Sequence, residues 1–178
     1  MAVLAYIWEL FKTWIYTFGV SFTNLEVVWI IIPIWLSWFF GEFFVEKKGT
    51  SFANAISNGI IPTWVGIDWI RHTTIQLTNS SFTWIFVLKY FLAILAISYG
   101  VIVIVFGIKA KKFIRFIGRI RETSYVMLVF TPLIYDLIMP SGKYFLSIVL
   151  FFPLFYVVIE LIDRFTPTPK ELEQQPES

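Results

Sequence analysis

Long uncharged runs dominate the pattern of apolar and polar positions along the chain. The first, "LEVVWIIIPIWLSWFFGEFF" at residues 25–44, has no charge from Val27 to Gly41. A helical membrane span needs about 20 predominantly apolar residues, so its length suits a crossing. Pro33 within it predicts a kink. The helix is expected to run on to residue 48, with Lys47 and Lys48 in its last turn and Gly49 as its stop. Thr50 or Ser51 can cap a second helix at once, which makes a tight helical hairpin. The next run, residues 82–108, is uncharged from Tyr90 to Ile108. Two shorter runs, 123–140 and 144–163, flank the turn "PSGK" and carry Pro132 and Pro153, which predicts kinked helices.

Two segments are less uniform. Residues 1–20 have a narrow polar edge of Glu9, Lys12 and Thr13 with Trp8 and Trp14 beside it. That pattern predicts an amphipathic helix in the membrane interface. A further span, with Glu9 and Lys12 paired across one turn, is its rival. Residues 51–77 place Ser51, Asn54, Ser57 and Asn58, then Asp68, Arg71, His72 and Gln76, at helical spacing. Asn54 and Asp68 lie about four turns apart, so both groups fall near one stripe. Gly59, Pro62 and Gly66 interrupt the segment between them. A polar stripe with such a break matches the discontinuous helices of transporters. The segment is expected to be broken, crossing or re-entering; a surface helix–turn–helix anchored by Trp64 and Trp69 is the alternative.

Composition turns these runs into an architecture. The chain is 58% hydrophobic and only 15% charged, whereas soluble domains carry about 25% charge. Its mean hydropathy is +0.76. The expected fold is all-α: a polytopic integral membrane helical bundle. About five spans lie near 25–48, 51–77, 82–108, 123–140 and 144–163, all within a helical domain at 21–165, after the interfacial helix 1–20. The Pro- and Glu-rich tail, residues 166–178, reads as disordered. With no cysteine, disulfides, thiolate catalysis and zinc–thiolate sites are excluded.

Charge distribution sets the expected orientation. Lys109, Lys111, Lys112, Arg115, Arg119 and Arg121 crowd one short segment against a single Glu122. The positive-inside rule places residues 109–121 and the tail in the cytoplasm. Lys111, Lys112, Arg115 and Arg119 share one helical face, opposite Phe113, Ile114, Ile117 and Ile120. The segment is therefore expected to lie on the inner leaflet and attract anionic lipid, at about 1 kcal/mol per basic residue. Nucleic acid is not an expected partner, because no soluble domain accompanies the basic residues.

Candidate chemistry is sparse. Lys89 and Asp136 are expected at similar depth, either as a buried pair fixing two helices or as a proton or ion relay. Glu42/Glu46 and Asp68/His72 are i,i+4 pairs that could bind a divalent metal. A continuous second helix would hold the two pairs about 25 Å apart, so no metal site is expected. No phosphate loop, serine elbow, HExxH or cofactor signature occurs, and no cofactor is expected. Asn79-Ser80-Ser81 is a glycosylation sequon on the expected outer side. These features favour a non-catalytic membrane protein, an assembly or scaffold subunit that forms homo-oligomers or joins other membrane subunits. A small transporter or channel built on 51–77 is the alternative, and a metal-dependent membrane enzyme a weaker one.

Overall fold

The computed structural model describes residues 1–47 and 49–167; Lys48 and the expected tail from residue 168 lie outside the described residues. All regular structure among the described residues is helical. The elements are α1 (Ala2–Val20), α2 (Leu25–Phe40), α3 (Phe52–Thr78), α4 (Trp84–Ile108), α5 (Ile114–Ile117), α6 (Ile120–Ile134), α7 (Gly142–Leu150) and α8 (Phe152–Phe165). A π turn, Gly41–Val45, prolongs α2. Three stretches are long and apolar enough to cross a membrane: Leu25–Val45, Trp84–Ile108 and, taking α7 and α8 together, Gly142–Phe165. They fit a helical membrane protein.

Short polar side chains start three of the helices, α2, α3 and α7. Asn24 accepts from the Glu26 amide at 2.9 Å, Ser51 from the Asn54 amide at 3.1 Å, and Ser141 from the Tyr144 amide at 3.2 Å. Gly49, at φ +104°, takes the left-handed turn between α2 and α3 that a side chain would resist. The expected hairpin forms at that glycine, but α2 ends differently. The Glu46 amide donates to the Gly41 carbonyl, a five-residue step that closes the π turn.

The expected interruption of residues 51–77 is corrected: α3 runs unbroken for 27 residues. Its glycines serve packing instead. Ala55, Gly59, Pro62, Gly66, Trp69 and Thr73 lie on buried positions spaced three and four apart. The facing stripe of α4 is Phe86, Lys89, Ala93, Ala96, Gly100, Val103 and Gly107. A Cβ added to Gly100 would lie 2.5 Å from the Gly59 carbonyl oxygen, and one on Gly66 would lie 2.8 Å from that of Ala93. Only small residues permit this approach, the usual device where helices pack in lipid. Thr63 donates to the Gly59 carbonyl at 2.8 Å, adding a bond beside Pro62, which has no amide hydrogen of its own.

Helix α6 is the core, buried on nearly all sides among α1, α2 and α3, and hydrogen bonds from Tyr125 to Ile148 and from Tyr144 to Val129 join it to α7. It stops at Ile134 rather than reaching 140. The Leu137 amide bonds back to the Pro132 carbonyl and the Asp136 amide to that of Leu133, with Asp136 at φ +57°. That is a Schellman stop with aspartate where glycine is usual. Pro153 does not kink a single helix: it sits second in α8, and the run divides at Phe151. The basic segment is likewise not one amphipathic helix. After α4 ends, Ala110 turns left-handed at φ +50°, and α5 is a single turn. Helix α1 packs Leu10, Trp14, Thr17 and Val20 inward, with the Trp14 indole donating to the Tyr125 hydroxyl at 3.0 Å. Its other face, including Val3, Ile7, Trp8 and Tyr16, is exposed.

Candidate functional site

Charged and polar groups gather at two ends of the bundle. The first cluster joins α3, α4, the start of α2 and the end of α6. Asp68 pairs with Arg71 one turn on, at 2.7 Å, and accepts from the Tyr135 hydroxyl at 2.6 Å. The His72 ring stacks on Tyr135 with centroids 3.8 Å apart, and its Nδ1 lies 3.9 Å from Glu26. One turn further, Gln76 bridges two groups: it accepts from Lys89 at 2.6 Å and donates to Asp136 at 2.7 Å. Lys89 and Asp136 close the ring directly at 2.7 Å. Lys89 is 1% exposed and Asp136 about half exposed. Asp136 reaches Lys89 because the helix stop turns it there; it lies just past α6, not within a span.

The second cluster, at the basic end, joins the α2–α3 turn to α6 and α8. Arg121 donates to Glu42 through Nε at 2.8 Å and also through its terminal nitrogen. Its guanidinium stacks 4.2 Å from the Tyr156 ring, and Glu160 lies 3.5 Å away. Both partners are nearly dry, Arg121 at 4% and Glu42 at 7% exposure. Beside them Glu46 accepts from Thr50 at 2.6 Å, from Asn58, and from the Ile120 amide at 3.4 Å. Burial pushes the Glu46 carboxyl above its ordinary range, against those three donors. Asn58 also donates to the Gly118 carbonyl at 2.8 Å. Lys47 donates to the Asp163 carbonyl at 2.8 Å and to that of Thr166, closing the C-terminus of α8.

The structure thus divides the residues singled out in the sequence. Asp68, Arg71 and His72 join Lys89 and Asp136 in one cluster. Asn58 belongs to the other, and Asn54 to neither: among the described residues its amide is engaged, by Ser51. Glu42 and Glu46 lie at the basic end, far along α3 from Asp68 and His72. Among the described residues no three His, Asp or Glu side chains gather to hold a metal ion. Of the basic segment, Lys109, Lys111 and Lys112 are exposed and Arg115 and Arg119 half-buried. Arg121 departs from its expected lipid-facing place: it turns into the core.

Sequence reasoning missed Arg121, Tyr135, Tyr156 and Glu160 as partners. Glu42 in "FFGEFFV" and Glu160 in "YVVIELI" are single charges inside apolar runs, and such a charge needs a partner. That signal was available; which partner was not. Between the clusters lies an apolar layer that includes Val65, Ile31, Leu128 and Met127, all buried. Trp69 donates to Thr131 there at 3.2 Å. Comparison of the chain with protein-family models, with curated proteins and with solved structures finds no match.

Proposed function

We propose that this chain is a non-catalytic integral membrane protein with five crossings, an assembly or scaffold subunit of a membrane complex. The observation that carries the reading is the arrangement of charge. Most charged groups of each cluster partner one another, and a largely apolar layer, crossed by the Trp69–Thr131 bond, separates the two. Asn58 and Asp68, the nearest polar groups of the two clusters on α3, are ten residues, or about 15 Å, apart. Within that interval Thr63 is tied to the Gly59 carbonyl, and Thr131 takes the Trp69 indole, so these two hydroxyls are engaged by the protein itself.

Pairing of the helices supports the span count. Helix α4 is long and apolar enough to cross. Helix α3 lies against it from Ile56 beside Gly107 at one end to Gln76 bonded to Lys89 at the other. If α4 crosses, α3 crosses with it, despite its more polar sequence. Helix α6, held among its neighbours, makes the fourth crossing and α7 with α8 the fifth. Helix α1 remains an interfacial helix whose Glu9 meets Lys143 at 3.5 Å where α7 begins. The basic segment then faces anionic lipid on the cytoplasmic side.

A single-cysteine scan tests this on a chain that has no cysteine of its own. An impermeant thiol reagent should label positions 79 and 142 from one side and 48, 111 and 172 from the other. Cysteines at Asn58 and Val65 should stay unlabelled from both. Labelling of Val65 from water would replace the scaffold with a channel.

A further inference from the structure

The α2–α3 turn and the link between α4 and α6 enclose a cavity of about 500 Å³ at the basic end. Thr50 and Phe52 form one wall; Lys112, Arg115, Phe116 and Arg119 form the other. The Arg115 guanidinium lies 4.4 Å over the Phe52 ring, which orients it, while its Nε is buried with no hydrogen-bond partner among the described residues. Among the described residues no carboxylate comes within 4.0 Å of Lys112 or Arg115, and Arg119 meets only Glu122, at 4.0 Å. Glu46 stands behind Thr50 and is engaged by Thr50 and Asn58. Three cations therefore face one hollow with little to neutralise them. Phe52 opens the 27-residue α3, whose positive dipole end adds to the field.

The surroundings select among anions. Phe116 is 75% exposed at the mouth, and Phe113, Ile117 and Ile108 are exposed beside it. A small soluble anion has no use for that apolar rim, whereas acyl chains do. We propose that this cavity is a binding site for the phosphate headgroup of an anionic phospholipid, with Arg115 as the principal ligand and Lys112 and Arg119 as supporting ones. The proposal rests on the membrane reading above. It sharpens a diffuse attraction to the leaflet into one stoichiometric site, where a planar guanidinium can hold two phosphate oxygens.

The test uses the full chain in nanodiscs of phosphatidylcholine with a minor share of phosphatidylglycerol, read by native mass spectrometry of the lipids retained on release. The parent protein should keep one phosphatidylglycerol. Arg115→Gln should lower that retention about tenfold, Lys112→Gln should lower it less, and Arg115→Lys should fall between parent and Arg115→Gln. Lys109→Gln and Lys111→Gln remove the same charge outside the cavity and should leave retention unchanged. Equal loss in all of these charge-removing variants would overturn the site in favour of diffuse surface charge. Displacement of the lipid by millimolar inorganic phosphate would overturn it in favour of a free-anion site. Lys112 is exposed and makes no ion pair among the described residues, so its variant carries the test if Arg115→Gln fails to fold. Failure of the membrane reading would look different, since carbonate washing would strip the chain from membranes.

Discussion

The two ends of the bundle use nearly the same chemistry, carboxylates against a long cation with a tyrosine ring alongside, and differ in how dry they keep it. At the basic end both members of the central pair are buried, Arg121 and Glu42, and the pair ties α2 to α6. At the opposite end each ion pair has one exposed partner: Asp136 is 45% exposed where Lys89 is 1%, and Arg71 is 59% exposed where Asp68 is 14%. A buried pair is a poor source of net stability but a severe liability once broken, because the survivor keeps its desolvation penalty. A pair with one wet partner can relax when the other is removed. Equal geometry therefore carries unequal consequence, and the basic end should be the joint on which the helix arrangement depends.

The largest effect should come from Arg121→Met. It strands Glu42 in the core and should lower stability by about 3–5 kcal/mol. Adding Glu42→Leu should recover most of that loss. Thermal unfolding in detergent reads both, and a single variant as stable as the parent would erase the contrast between the ends.

Next comes Gly100→Ala, which strikes the seam joining the two ends. Its Cβ would meet the backbone of Gly59 and Thr63, so α3 and α4 must separate. The expected loss is about 1–3 kcal/mol, whereas Gly142→Ala, with nothing within 4 Å, should show none of it. Comparing the two melting temperatures isolates close packing from helix propensity.

Lys89→Met should lose only about 1–2 kcal/mol, because Asp136 is left at the surface and keeps Gln76 as a donor. A loss as large as that of Arg121→Met would show that the far end is as dry as the basic one. Smallest should be His72→Phe, which preserves the stack on Tyr135. It should stay within about 1 kcal/mol of the parent, and a larger loss would mean that the imidazole contributes through its nitrogens.

Some of this was legible in the chain. Asp68, Arg71, His72 and Gln76 recur at helical spacing, so their shared face could be read directly, and two lone charges in apolar runs, Lys89 and Asp136, implied a pair. The hairpin at Gly49 was legible because a glycine between a helix end and a serine cap has few other uses. The glycines of α3 misled. Gly59 and Gly66 beside Pro62 read as a break when the segment is taken alone, yet they match Ala93, Ala96 and Gly100 across the seam. Only the pairing of the two stripes gives the glycines their meaning.

The sequence by itself determined the helical class. So many uncharged apolar residues, with so few charges to cover them, fit a helical membrane protein, and three stretches are long and apolar enough to cross. A cap and a left-handed stop, readable as Ser51 and Gly49, set where α3 begins and where the turn before it bends. Only the tertiary structure decided which charge meets which. Arg121 and Arg119 stand two residues apart in one basic run, and the turn into α6 sends Arg121 to Glu42 in the core and leaves Arg119 by the cavity. Asp136 reaches Lys89 because α6 stops early and turns left-handed. A local pattern can show that a charge needs a partner; the identity of that partner depends on contacts between residues tens of positions apart, which no local pattern encodes.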